Sequence, residues 1–124
     1  MKRVLIVEDN DKNMKLARDV LQAKGYDTLE AVTGEDGVRL ALDGKPDLVL
    51  MDIQLPGISG IEALKRLRAD PATACIPVAA LTASVTQGDR SKITEAGFDA
   101  FLAKPINLKE FLETVARLAG QGRA

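Results

Sequence analysis

The run Leu48-Val49-Leu50-Met51-Asp52 is apolar until its last residue, and the loop-forming segment Leu55-Pro56-Gly57-Ile58-Ser59-Gly60 follows closely. A strand apolar at successive positions, instead of alternate ones, is covered on both faces, as in a parallel sheet with helices on either side. Its final residue is an acid. A second run, Val4-Leu5-Ile6-Val7, is followed at once by Glu8 and Asp9. Strand ends of this kind lie at the carboxyl edge of an open α/β sheet, where ligands bind. Crowded carboxylates repel one another, and a hard cation such as Mg²⁺ relieves that repulsion through oxygen ligands.

Outward from these two runs, short apolar stretches alternate with helical periodicity, which predicts βα repeats. Strands are expected at Arg3 to Val7, Asp27 to Ala31, Leu48 to Asp52, Pro77 to Leu81 and Asp99 to Ala103. Asn10 or Asp11 caps a first helix with Met14, Ala17, Val20 and Leu21 on one face, and Gly25 ends it. Val38, Ala41 and Leu42 mark a second helix, stopped near Gly44 and Pro46. Ile61, Leu64 and Leu67 mark a third, broken before Pro71. Gly88 to Ala96 is a weaker helix closed by Gly97, and Leu108, Phe111, Leu112, Val115 and Leu118 form a clear last stripe. Residues 1–119 read as one domain with no output module, and residues 120–124 as a frayed tail. Right-handed crossovers and the strict alternation give a doubly wound, flavodoxin-like sheet of order 2-1-3-4-5. In that order Glu8, Asp9 and Asp52 meet in one crevice.

The composition narrows the chemistry. The chain has 124 residues and a formal net charge of −1, with no basic patch of the kind nucleic-acid binders carry. No apolar run reaches membrane-spanning length, and Met1-Lys2-Arg3 leads straight into a strand instead of a signal peptide. Cys75 is the sole cysteine, read as a small buried or half-buried thiol, and a cytoplasmic setting is expected. The lack of histidine excludes a Ser-His-Asp triad, a Cys-His pair and His-ligated zinc.

The fourth strand runs into Thr82-Ala83-Ser84 and the fifth into Lys104-Pro105, so a hydroxyl and an ammonium join the acids at one edge. Taken singly, each residue has a plainer reading. Glu8 and Asp9 favour a helix N-terminus through its dipole; Asp52 is a solvated strand-end acid, Thr82 a turn residue and Lys104 a surface cation. Together, in register at four strand ends, they read as a site.

On Val7-Glu8-Asp9-Asn10, Met51 to Gly60, Leu81-Thr82-Ala83 and Lys104-Pro105 the chain resembles the receiver domains of two-component response regulators. Within that family, Asn13-Met14-Lys15-Leu16, Gly25-Tyr26 and Phe111-Leu112-Glu113-Thr114 are similar to single-domain cell-division regulators. The resemblance implies a phosphoprotein whose acceptor is Asp52, phosphorylated from the phosphohistidine of a sensor kinase or phosphotransfer protein. It implies Mg²⁺, with Mn²⁺ as a substitute, held by Asp9, Asp52 and the backbone carbonyl of Gln54, with Glu8 acting mainly through water. Lys104 and Thr82 then contact phosphoryl oxygens, and Thr82 with Phe101 forms the switch. A plain core role is the other reading of Phe101. The resemblance implies that Gln54 and Ser84 tune the phosphoryl lifetime, ordinary loop polars being their plainer reading, and that Lys104-Pro105 is a cis bond, although from sequence alone an X-Pro bond is usually trans. The resemblance also implies that the first helix, with Asn13 and Met14, and Pro105-Ile106 dock the donor, and that Val85, Ile93, Phe101 and Ile106 are candidate target contacts around the fourth helix, fifth strand and last helix, with the core as the equal alternative for Ile93. Four rivals use the same fold or chemistry: a relay or phosphate sink, a flavin carrier, an aspartyl-intermediate phosphatase, and a degenerate receiver that binds partners without phosphorylation. The flavin carrier fits poorly, because an acid pair at the first βα loop repels an unassisted phosphate. The phosphatase needs substrate-capturing insertions that a chain this compact lacks.

Overall fold

Side chains alternate across a strand, so a buried central strand serves two cores at once. The computed structural model describes residues 2–82, 87–104 and 106–121, with 87–90 and 121 described by backbone alone. Its elements are β1 (Arg3–Val7), α1 (Asp11–Ala23), β2 (Asp27–Ala31), α2 (Gly34–Gly44) and β3 (Leu48–Asp52). They continue as α3 (Gly60–Ala69), β4 (Val78–Thr82), α4 (Gln87–Ala96), β5 (Ala100–Ala103) and α5 (Leu108–Gln121). All strand pairs are parallel, in the order β2-β1-β3-β4-β5.

Val4, Ile6, Leu48, Leu50, Leu81 and Leu102 face α1 and α5, packing on Met14, Leu21, Phe111 and Val115. Leu5, Val7, Val49, Met51, Val78 and Ala80 face α2, α3 and α4, packing on Ala41, Leu64, Leu67, Ile93 and Phe98. The alternation carries to the strand ends. Glu8, Asp52 and Lys104 continue the face of Ile6, Leu50 and Leu102. Thr82 continues the face of Ala80, which pairs with Phe101 across β4 and β5. The sheet thus sorts the edge residues into an acid–lysine group on one side and a Thr82–Phe101 pair on the other.

Asn10 is the α1 cap: its side chain accepts from the backbone N–H of Lys12 and Asn13 at 3.0 and 3.1 Å. Thr33 and Ser59 cap α2 and α3 in the same way. The structure differs from expectation at four places. β4 starts at Val78, since Pro77 has no N–H to give the ladder, though its carbonyl accepts from Val49 at 3.0 Å. β5 starts at Ala100: Asp99 still donates its N–H to the Val78 carbonyl at 2.8 Å, but the Val78 N–H is taken by the Asp99 carboxylate at 2.8 Å instead of a backbone carbonyl. α5 runs to Gln121, two residues into the stretch read as a tail, held by buried Leu118 and Ala119 in its last turns. Cys75 is exposed, not buried. In that connection the inward position belongs to Thr73, fully buried, whose hydroxyl donates to the Leu67 carbonyl at 2.6 Å.

Arg68 ties this end of the sheet together. Its guanidinium donates to the carbonyls of Ala74 and Ile76 and to Asp99, at 3.2, 2.6 and 3.0 Å. Among the described residues, no helix is long and apolar enough to cross a membrane.

Candidate functional site

The strands end where β1 and β3 part company, one neighbour turning back to β2 and the other leading on to β4. That reversal of strand order opens a crevice above their carboxyl ends. A cleft of about 380 Å³ lies there, lined by Asp9, Asn10, Asn13, Asp52, Gln54, Thr82 and Lys104.

Lys104 is the centre of its electrostatics. Its ammonium donates to Glu8 Oε1 at 2.6 Å and to Asp52 Oδ2 at 2.8 Å. The other Asp52 oxygen, Oδ1, accepts from the Gln54 N–H at 3.0 Å. Glu8 is buried beneath the lysine, Asp52 is buried as well, and Asp9 is exposed at the rim. One carboxylate oxygen from each of Glu8, Asp9 and Asp52 lies within 4.8 Å of the others. Burial and the facing Asp52 carboxylate push the Glu8 carboxyl up to about 7, against the downward pull of Lys104. Burial lowers the Lys104 pKa, but its contacts to Asp52 and Glu8 outweigh that and raise it overall. The lysine is therefore held charged between two acids, one of which is costly to ionise.

The donor set suits a hard divalent cation. The cluster's side-chain donors are all carboxylate oxygens, and Glu8 Oε2 is buried with no hydrogen-bond partner. A buried carboxylate oxygen left unpaired is costly, and a hydrated cation would supply the missing interaction.

Backbone packing sets where Asp52 and Gln54 sit. The Gly60 N–H donates to the Ile53 carbonyl at 2.9 Å, closing the loop after β3 at its base. A Cβ on Gly60 would strike the Asp52 carbonyl oxygen, so only glycine lets α3 start this close to the acid. Gly57 turns the loop with φ 78°.

The structure brings together Glu8, Asp9, Asp52, Gln54, Thr82 and Lys104. The Lys104 N–H donates to the Thr82 carbonyl at 2.8 Å, which joins the ends of β4 and β5 beside the cleft. Phe101 is half-buried against the α3–α4 side of the sheet. Ile93, for which the sequence left a contact surface and the core both open, is buried in that same core and is unavailable to a partner. Ile106 is half-buried against the α1–α5 core. Ser84, Val85 and Pro105 lie outside the described residues. Asn10 and Asn13 also line the cleft, although the sequence points to the first only as a helix cap and to the second only as part of a docking surface. The signal was present: a helix beginning three residues after Glu8 overhangs the same edge.

Comparison with known proteins agrees with this architecture. The family model for the response regulator receiver domain matches residues 4–116. The polar-differentiation response regulator DivK of Brucella anthropi is 45% identical over 96% of this chain and 97% of its own length. DivK of Brucella abortus has the same identity and coverage. Among solved structures, the receiver domain of a sensor histidine kinase from Pseudomonas aeruginosa, with magnesium in its active-site cleft, has a TM-score of 0.90 at 34% identity. That likeness covers 97% of this chain and 98% of the other. The chemotaxis protein CheY4 of Vibrio cholerae has a TM-score of 0.89 at 25% identity, over 95% of this chain and 98% of its own. The matches run from β1 to α5, and the chain belongs to the response regulator receiver domain family.

Proposed function

We propose that this receiver domain is a switch operated by phosphorylation of Asp52, with a phosphohistidine on a sensor kinase or phosphotransfer protein as donor. The observation that carries the reading is the Lys104 ammonium seated between Glu8 and Asp52 at the floor of an open cleft. An Asp52 oxygen attacks phosphorus, the N–P bond of the phosphoimidazole breaks, and the imidazole leaves with its electron pair and takes up a proton. Lys104 exchanges a carboxylate partner for a phosphoryl oxygen, and the Thr82 hydroxyl donates to another. Phosphoryl transfer needs positioning and charge neutralisation more than covalent help.

Asp9, Asp52 and the Gln54 carbonyl would hold Mg²⁺, with Glu8 acting mainly through water. The ion supplies positive charge to a reaction between two anions. Gln54, exposed at the rim, borders the path of a water attacking the acyl phosphate and so tunes its lifetime, a role proposed for Ser84 as well.

Thr82 and Phe101 lie on one face of neighbouring strands. Movement of Thr82 towards the phosphoryl group vacates space that the half-buried Phe101 ring can enter, which couples the cleft to the α4–β5–α5 surface. Target proteins are read from that surface, and the DivK relatives support targets in cell-division or developmental signalling. The test is intact-mass measurement with acetyl phosphate and Mg²⁺. One phosphoryl group should appear on the parent and none on Asp52→Asn. Equal labelling of both would refute Asp52 as acceptor.

A further inference from the structure

The loop that carries Gln54 is braced from outside by the start of α2. Glu35 Oε1 accepts from the Ile58 N–H at 3.4 Å. A Cβ on Gly57 would meet that carboxylate at 2.6 Å. Gly34 is buried one residue earlier, and a Cβ there would lie 2.7 Å from Ile58 Cγ1 and 3.0 Å from the Ile58 carbonyl oxygen. The first separation is shorter than real Cβ contacts and the second is tighter than most, so something must move if Gly34 gains a methyl group.

The helix is poorly placed to move. At Gly37 a Cβ would lie 2.8 Å from Val7 Cγ2, and at Gly44 2.6 Å from Leu29 Cδ1. Successive glycines on its inner side therefore seat α2 hard against β1 and β2. The loop between Ile53 and Gly60, closed by its own hydrogen bond, is the part that yields.

We propose that Gly34 and Glu35 are positioning residues for the phosphoacceptor loop, and that through Ile58 they set where the Gln54 carbonyl stands and hence the Mg²⁺ affinity. This rests on the reading of Gln54 as a metal ligand. Neither residue touches the cleft; each acts through the loop. Partners that orient metal ligands commonly change affinity without contacting the ion.

The test is a Mg²⁺ titration followed by amide spectra. The Gln54 N–H is the reporter, since it donates to Asp52 at 3.0 Å. Gly34→Ala should weaken Mg²⁺ binding about ten-fold, although alanine normally favours a helix over glycine. Adding Ile58→Ala removes the clashing Cγ1, and the double variant should bind within about two-fold of Ile58→Ala alone. Glu35→Ala should weaken binding about three-fold, and Glu35→Gln, which keeps the acceptor oxygen, should restore it. A role confined to stability would leave these affinities unchanged and lower only the melting temperature. If Gly34→Ala does not fold, the Glu35 pair decides alone. Parent-like affinity in Gly34→Ala and Glu35→Ala overturns the proposal. A parent that binds no Mg²⁺ overturns the underlying reading of the site, and this inference with it.

Discussion

Replacing Glu8 by glutamine should stabilise the metal-free protein at neutral and alkaline pH. Glu8 is 1% exposed, lies under Lys104 at 2.6 Å, and has its second oxygen without a partner. Its carboxyl is pushed from an ordinary 4.5 up to about 7 by burial first and the Asp52 carboxylate second. Below the lower value both folded and unfolded chains hold the proton. Between the two values the unfolded chain has lost it and the folded chain keeps it, so stability falls as pH rises from 4.5 to about 7 and levels off above that. A shift of that size corresponds to about 3 kcal/mol, to order of magnitude. Glutamine resembles the protonated side chain, offers Lys104 a carbonyl, and never ionises. Urea denaturation in the presence of a chelator, across this range, should show the variant more stable by about 3 kcal/mol at the alkaline end, or about 10 °C in melting temperature. The gap should close at the acid end. Mg²⁺ should narrow it at alkaline pH by stabilising the ionised parent. Parallel stability curves for parent and Glu8→Gln would refute the argument, because they would show that Glu8 ionises as freely in the fold as in the unfolded chain.

Other perturbations follow from the same geometry. Lys104→Met leaves Glu8 and Asp52 facing each other without the cation, and should cost about 3 kcal/mol without metal, partly recovered by Mg²⁺ in thermal melts. Arg68→Lys keeps the charge but loses the fork that reaches Ala74, Ile76 and Asp99; it should cost about 2 kcal/mol in denaturation and leave the rate of Asp52 labelling unchanged. Thr82→Ala should still accept phosphate at Asp52 yet lose the phosphorylation-induced shift of Phe101 resonances, which amide and aromatic spectra would register.

What could be read from residues alone divides along physical lines. The central strands were legible because a strand covered on both faces is apolar at every position, as in Leu48 to Met51. The α1 boundary was legible because Asn10 caps through a local contact. The cluster of acids followed from strand ends meeting at a reversal of strand order, a consequence of connection handedness. Tertiary detail was less accessible. α4 has little apolar content, so its inward side could not be chosen from periodicity, and the sequence left Ile93 open between a contact surface and the core, where it lies. Cys75 was read by its residue type, whereas Thr73 takes the buried position by satisfying its hydroxyl on Leu67. That Lys104 bridges both acids, and that Glu8 lies buried beneath it, depends on which side chain reaches furthest over β1 and β3. The close seating of Gly34 and Gly60 likewise belongs to distances between elements far apart in sequence.

The central claim is that Asp52, and no other acid at this edge, receives the phosphoryl group. Borohydride reduction of the protein after treatment with a phosphoryl donor and Mg²⁺ converts an aspartyl phosphate to the corresponding alcohol, which peptide mass spectrometry then locates. The account predicts the alcohol at position 52, with Asp9 and Glu8 intact and the signal absent when Mg²⁺ is chelated. Reduction product at Asp9 or Glu8, or at no residue despite donor and Mg²⁺, would contradict it.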